Sequence, residues 1–122
     1  MQTLDENASV ISASKVTGTE VYNSQGEHLG EIYDVMLDKR SGKIAYAVMS
    51  FGGFLGIGER YHPLPWATLK YDTNQGGYVV GLTADQLKDA PTFAANENPA
   101  WGDRAYETRI HDYYKTVPYW GV

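Results

Sequence analysis

Cysteine is absent from the 122 residues of the chain, and this absence excludes a disulfide scaffold, a thiolate nucleophile and a cysteine-ligated zinc site. Positive charge is scarce as well, since ten Lys and Arg residues stand against fifteen Asp and Glu residues and give a formal net charge of −5. Because a surface of that sign repels phosphate, the composition disfavours nucleic acid as a partner.

Long apolar runs are also absent. No stretch approaches the roughly 18 consecutive apolar residues that a membrane-spanning helix needs. The chain begins MQTLDENASVISAS, with acids where a signal peptide requires positive charge. We therefore expect a cytoplasmic protein without a membrane span.

The residues that are present are typical of one folded domain, with 43% hydrophobic and 20% charged residues. Ten tyrosines and three tryptophans make aromatic rings unusually frequent. Residues 1–13 are polar and aperiodic and are predicted to form a disordered tail. Residues 14–83 are predicted to form a β-rich domain, and residues 84–122 a helical extension.

The β-rich domain alternates β-forming runs with turn signals, the pattern of a barrel or sandwich. Turns are predicted at 23–26 and 38–42, each with a glycine in the left-handed conformation. Both faces of the third strand are apolar, so we expect another element to cover its second face. Pro63 and Pro65 restrict the fourth strand to an edge or an early end, because each removes a ladder donor. We predict a mainly β fold, a small, partly open barrel of about six short strands at 20–22, 29–37, 43–51, 59–66, 69–73 and 78–82.

Two helices are predicted in the extension. Thr83 and Gln86 have the spacing of a capping box, which begins a short helix. A second helix is predicted to begin at Asn98, with Pro99 in its first helical position, and to end at Pro118.

An aromatic face on the second helix is the most unusual feature of the chain. Its positions follow steps of 4, 3 and 1 residues and share one side of a helix. This face packs either on the barrel of its own chain or on a second copy, since tyrosine and tryptophan contribute much of the energy at interfaces. The candidate self-association interface comprises Tyr106, Ile110, Tyr113 and Tyr114, with Trp120 beyond the helix.

A glycine-rich loop at 52–58 lacks the chemistry of a phosphate-binding loop, because Glu59 follows it and the G-x-G-x-x-G pattern is not met. Two interpretations stay open for its apolar side chains, Phe54, Leu55 and Ile57. They fold back over an open barrel end, or they form an exposed apolar patch for a partner.

No catalytic, metal-binding or cofactor-binding constellation is visible in the sequence. The three histidines, His28, His62 and His111, fall in a turn, an edge strand and a helix, without the spacing of a metal motif. A hydrolase built from His62 and Glu59 is disfavoured because the two side chains lie three apart on a strand and point to opposite faces. The protein is therefore predicted not to be an enzyme.

An ordered series of motifs resembles the PRC-barrel family over about residues 14–83. The whole chain looks like short stand-alone bacterial members in which a tyrosine-rich tail follows the barrel. The motifs that carry the resemblance are Gly18-Thr19-Glu20-Val21-Tyr22-Asn23, Gly26-Glu27-His28-Leu29-Gly30-Glu31-Ile32-Tyr33-Asp34-Val35-Met36-Leu37-Asp38, Ser41-Gly42-Lys43-Ile44-Ala45-Tyr46-Ala47-Val48, Gly52-Gly53-Phe54-Leu55-Gly56-Ile57-Gly58 and Leu64-Pro65-Trp66.

The resemblance implies a strongly bent barrel that acts as an interaction module and offers no catalytic residues. Relatives include the cytoplasmic domain of the photosynthetic reaction-centre H subunit, a domain of a ribosome-maturation factor, and archaeal cell-division adaptors. We expect neither specific role here, because the 122 residues include neither the membrane helix of the first nor the extra N-terminal domain of the second.

Our first hypothesis is a non-enzymatic protein–protein interaction or adaptor module that forms a homodimer through its aromatic extension. The alternative is a small-ligand or RNA-binding barrel that uses the mouth near Phe54 and Leu55, or the basic hairpin tip of Lys39, Arg40 and Lys43. A coordinated ion, or a cleft in which several ionisable side chains converge, would contradict the first hypothesis.

Overall fold

One mixed sheet of seven strands organises the part of the chain that this computed structural model describes, residues 10–51, 60–94 and 96–121. The strand order is β5-β6-β1-β2-β3-β4-β7, and within these residues the sheet does not close. The strands are β1 (Glu20–Asn23), β2 (His28–Leu37), β3 (Ile44–Phe51), β4 (Arg60–Pro65), β5 (Lys70–Asp72), β6 (Gly77–Val80) and β7 (Phe93–Ala94). The helices are α1 (Ala13–Val16), α2 (Ala84–Lys88) and α3 (Arg104–Tyr114), with single 3₁₀ turns at Trp66–Thr68 and Tyr119–Gly121.

Two turns account for the pairing of β1 with β2 and of β2 with β3. The Asn23 side-chain oxygen accepts the amide protons of Gln25 and Glu27 at 3.0 and 2.9 Å, and Gly26 takes a φ of +83°. At the tip between β2 and β3, Gly42 takes a φ of +78° and donates its amide proton to the Asp38 carbonyl at 2.8 Å. Both turns use glycine where other residues are strained, so both sequence-predicted turns are confirmed.

The pairing adds two features that the sequence pattern did not predict. β1 pairs with β6 in parallel, with Val21 opposite Tyr78, and this contact joins the last hairpin to the first. β7 pairs with β4 through Arg60 and Tyr61 only. The fourth strand therefore has a neighbour on each side at its start, while Pro63 and Pro65 lie beyond the β7 pairing, as their missing donors require.

The inner face of the sheet carries the hydrophobic core. Ala45, Ala47 and Met49 point inward from β3, and Leu64 on β4 lies opposite Ala47 and is 0% exposed. Burial of apolar surface of this kind is the main stabilising contribution to the fold. Other fully buried members of this core are Val21, Ile32, Val80 and Leu87.

The second face of β3 is covered, as the apolar pattern predicts. Tyr46 and Val48 point outward, yet each is only 2% exposed. The rings of Trp101 and Tyr119 pack on Tyr46 with centroid separations of 5.6 and 5.7 Å. Residues 84–94 and 96–121, which we call the C-terminal extension, thus fold onto the sheet of their own chain.

Helix α3 differs from its sequence-based prediction at both ends. The expected start at Asn98 with Pro99 in the first position is wrong, because the helix begins at Arg104. Gly102 takes a φ of +90°, which no α-helix contains, and the Asp103 side chain then caps the helix by accepting the Ala105 amide proton at 2.9 Å.

The expected end of α3 at Pro118 is also wrong. The helix ends at Tyr114, and Lys115 takes a left-handed φ of 55°. The Thr116 amide donates to the His111 carbonyl at 3.0 Å and so satisfies a carbonyl that the helix leaves free. The capping box of α2 is confirmed, since Gln86 and Thr83 exchange both of its hydrogen bonds.

Candidate functional site

The predicted self-association residues lie at unequal depths in the C-terminal extension. Ile110 is 0% exposed and Tyr114 is 9% exposed, so both are buried within their own chain. Tyr106 is half-buried against the Trp101 ring at 5.9 Å. Tyr113 stays 36% exposed and donates its hydroxyl proton to the Gln86 carbonyl. Trp120 is half-buried beneath the Arg104 guanidinium at 3.9 Å.

Part of the predicted aromatic face packs within its own chain. The most apolar part of the α3 face packs on the sheet of its own chain, because Ile110 and Tyr114 belong to the same cluster of buried residues as Tyr46. Of the five predicted interface residues, Tyr106, Tyr113 and Trp120 keep exposed parts that are available to a second molecule in this conformation.

A buried carboxyl group that the sequence analysis missed attaches the extension to the sheet. Glu107 on α3 is 1% exposed and accepts the Tyr46 hydroxyl proton at 2.6 Å and the Gly102 amide proton at 2.9 Å. The sequence did contain a signal: Glu107 precedes Ile110 by three residues and Tyr114 by seven, which places it on the buried face. A carboxyl group on that face requires buried donors.

Burial and the neighbouring Glu107 carboxyl group together keep the Tyr46 hydroxyl group protonated. Removal from water raises the pKa of Tyr46, and the hydrogen bond to Glu107 raises it further. Tyr46 therefore remains a hydrogen-bond donor and does not act as a base at neutral pH. Burial, followed by proximity to Glu107, also raises the pKa of Tyr119.

A cleft of about 640 Å³ lies between the tip of the β2–β3 hairpin and the start of α3. Three cationic side chains line it, from Lys39 and Arg40 on the hairpin and from Arg104 on α3. None of the three forms an ion pair with a carboxylate in the described part of the chain. The remaining walls include the acids Asp38 and Glu107 and the rings of Tyr46, Trp101 and Tyr119.

Several ionisable side chains converge in this cleft. Such a cleft is one of the two observations that would contradict the hypothesis of a non-catalytic interaction module. Both oxygens of Glu107 accept hydrogen bonds from Tyr46 and Gly102, so its carboxyl group is occupied. Asp38 accepts the Ser41 hydroxyl proton at 2.7 Å, and this bond contributes most to lowering its pKa. The described lining supplies no histidine and no serine or threonine nucleophile. The arrangement suits binding of an anion better than proton transfer or nucleophilic attack.

The three histidines do not meet in a metal site. His62 is 1% exposed on β4 and packs edge-on against Phe51 at 5.2 Å. His111 is 1% exposed on α3 and pairs Nδ1 with the Glu107 carbonyl at 2.8 Å. His28 lies at the surface, with Nε2 at 3.2 Å from Glu20. Among the described residues, no three His, Asp or Glu side chains gather in a metal-binding arrangement.

Two further sequence predictions concern loops. Phe54, Leu55 and Ile57 lie outside the described residues, so neither interpretation of the glycine-rich loop is tested. Lys39 and Arg40 of the basic hairpin tip line the cleft, whereas Lys43 is exposed and does not line it.

No helix within residues 10–51, 60–94 and 96–121 is long and apolar enough to cross a bilayer.

The fold and the cleft together define a small β-sheet domain whose outer face is covered by an aromatic C-terminal extension. The PRC-barrel domain model matches residues 9–87, well over half of the chain, and the chain therefore belongs to the PRC-barrel domain family. The family predicted from the sequence motifs is confirmed. PRC-barrel domains are generally non-catalytic.

Two of the proteins that are similar to this chain illustrate the range of similarity. An uncharacterized protein of Deinococcus radiodurans is 26% identical over 95 residues, which cover 78% of this chain but 31% of that protein. A solved structure from Pseudomonas aeruginosa, described as a 16S ribosomal RNA processing protein, RimM, aligns with a TM-score of 0.42 and 20% identity over 68% of this chain and 50% of that chain. At this level of similarity, the second alignment bears on neither mechanism nor partner.

Proposed function

We propose that the protein is a non-enzymatic protein–protein interaction module that self-associates through the C-terminal extension. The observation that carries the proposal is the state of the buried ionisable groups on that extension. Glu107 and His111 are both 1% exposed. The Glu107 carboxyl group joins α3 to Tyr46 on the sheet, and the His111 ring bonds the Glu107 carbonyl within α3 itself. These groups support the conformation of a surface rather than a reaction.

The surface that this scaffold presents has the residue types of an interface. Tyrosine, tryptophan and arginine contribute a large share of binding energy in protein complexes. The exposed side of the extension offers parts of Tyr106, Tyr113 and Trp120, with Arg104 stacked on the last of these. Val117 adds an apolar side chain that is 63% exposed.

Light scattering coupled to gel filtration tests self-association on the full chain. We expect a mass of about twice the 13.6 kDa of one copy, decreasing towards 13.6 kDa on dilution. Tyr113→Ala combined with Trp120→Ala should shift the midpoint of dissociation to higher protein concentration by about tenfold or more.

Tyr71→Ala is the matched control, since Tyr71 is an exposed tyrosine on β5, at the sheet edge opposite β7, and is 42% exposed. It should leave the mass unchanged. A wild-type protein that stays at 13.6 kDa at all concentrations contradicts self-association.

The cytoplasmic location stays a prediction from the sequence, to be tested by cell fractionation.

A further inference from the structure

We propose that the cleft between the β2–β3 hairpin and α3 binds a short acidic peptide segment of a protein partner. This inference rests on the proposed interaction function and extends it to a cleft that adjoins the self-association surface at Arg104. It begins from the local charge, because the protein carries a net charge of −5, yet Lys39, Arg40 and Arg104 converge on one cleft.

The two acids in the cleft weaken this positive character only in part. Glu107 is buried and bonded to Tyr46 and Gly102, and Asp38 is bonded to the Ser41 hydroxyl and the Arg40 amide of its own hairpin. Their oxygens therefore already have donors, and none of the three cations forms an ion pair among the described residues. The Arg104 charge does act on Asp38 at longer range, where it makes a small contribution to lowering the pKa of that carboxyl group. An incoming carboxylate would supply the missing ion-pair partner.

Arg104 is the best-positioned of the three cations. Its guanidinium lies 3.9 Å from the centre of the Trp120 ring, and this stacking limits the conformations that the side chain can take. An arginine carries five N–H donors, and a fixed planar group loses less entropy when it binds a carboxylate through two of them. The site is therefore partly preorganised for an acidic side chain.

The aromatic wall favours a peptide over a nucleic acid. Tyr46 is only 2% exposed, and its ring packs against Trp101 and Tyr119. Rings that pack on one another do not offer the open faces on which bases stack. They can still contact an apolar side chain, and Leu37, 56% exposed, extends the apolar rim of the cleft. A longer phosphate chain would also meet the acidic remainder of the surface.

Tryptophan fluorescence gives a direct binding assay, because Trp101 lines the cleft and Trp120 stacks under Arg104. The probe is a short blocked peptide of aspartate and glutamate residues around one central leucine. We expect saturable quenching that weakens as salt is added, because the binding is largely electrostatic. A peptide of the same length with serine in place of the acids should bind at least about tenfold more weakly.

Variants of the full chain locate the binding site. Arg104→Gln combined with Arg40→Gln should weaken binding of the acidic peptide by about tenfold or more. Arg104→Lys should restore only part of the affinity, because lysine keeps the charge and loses the planar donors. Arg109→Gln is the matched control, since Arg109 lies on the same helix against Tyr106 and does not line the cleft. Circular dichroism checks that each variant is folded.

Several outcomes overturn the proposal. The first is an acidic peptide that binds no more tightly than the serine peptide at low salt. The second is a loss of peptide affinity in Arg109→Gln equal to the loss in the combined Arg104→Gln and Arg40→Gln variant. The third is a single-stranded oligonucleotide that binds as tightly as the acidic peptide. Competition by inorganic phosphate at the same concentration as the peptide would assign the cleft to small anions instead. A protein that self-associates but ignores the peptide overturns only the cleft proposal, and a monomer that binds the peptide overturns only self-association.

Discussion

His62 lies on β4 with 1% of its surface exposed, and Nδ1 of its imidazole has no hydrogen-bond partner in the described part of the chain. Burial, with a smaller contribution from the Arg60 charge, lowers the pKa of His62 from 6.5 to about 4. The folded protein therefore holds a neutral imidazole that the unfolded chain would protonate first as the pH decreases.

We expect this imidazole to make folding sensitive to acid. The contribution of His62 to stability is complete above pH 6.5 and is lost as the pH decreases from 6.5 towards 4, by about 3 kcal/mol in total. Urea unfolding at a series of pH values should show this loss in the wild type and a smaller one in His62→Leu. Equal slopes for His62→Leu and the wild type would contradict the assignment.

The bond between Tyr46 and Glu107 makes a second prediction for single residues. Tyr46→Phe removes the donor 2.6 Å from Oε1 of a carboxyl group that is 1% exposed. We expect the free energy of unfolding to decrease by about 1–3 kcal/mol, because a buried acceptor is left without its partner. The measurement is urea unfolding at neutral pH.

Tyr114→Phe provides a matched control for that variant. The Tyr114 hydroxyl is buried without a hydrogen-bond partner in the described residues, so its removal should leave stability unchanged or raise it. Glu107→Gln completes a double-mutant cycle with Tyr46→Phe. Strict additivity of the two changes would show that the 2.6 Å contact contributes no coupling.

Among the elements, β2 depends on a position where a side chain has no room. Gly30 pairs with Val21 on β1 and with Phe51 on β3. A Cβ atom at this position would overlap the Ser50 carbonyl, which is main chain and cannot rotate away. Gly30→Ala should therefore destabilise the protein by about 3 kcal/mol or more, measured by thermal unfolding.

Gly81→Ala is the control for that substitution, since a Cβ atom there meets nothing within 4 Å and the residue has no left-handed φ. It should be neutral or stabilise the protein by up to about 1 kcal/mol, because alanine reduces the entropy of the unfolded chain. Comparable losses at both positions would mean that loss of glycine, and not the close approach of β2 to β3, destabilises the protein.

How far the sequence predicts each element depends on the distance over which its signals act. The capping box at Thr83 and the turn at Gly42 depend on residues within five positions and were predicted correctly. The parallel pairing of Val21 with Tyr78 and the pairing of β7 depend on residues far apart in the chain and were not predicted. The early start assigned to α3 failed because Pro99 is compatible with a helix, whereas Gly102 takes a positive φ and donates its amide proton to the Glu107 carboxyl group.

In the candidate site, too, the features that depend on nearby residues were predicted and those that depend on distant residues were not. An amphipathic pattern identified Ile110 and Tyr114 as an apolar face but could not tell whether the face packs on its own chain or on another. The cleft joins residues from the hairpin tip and from α3, such as Arg40 and Arg104, that are 64 positions apart. Only the folded chain brings them together.

For the whole molecule, the structure predicts that barrel and extension unfold as one unit. Ile110 is 0% exposed within the core cluster, so Ile110→Ala should lower the free energy of unfolding by about 2–4 kcal/mol. The far-ultraviolet and tryptophan transitions should move together, because Trp66 packs on the barrel core and Trp101 belongs to the extension. Val117→Ala, at a residue that is 63% exposed, should change stability by no more than about 0.5 kcal/mol. If Ile110→Ala instead separates the two transitions, the extension is an independent unit, and the covered outer face of β3 does not need it for folding.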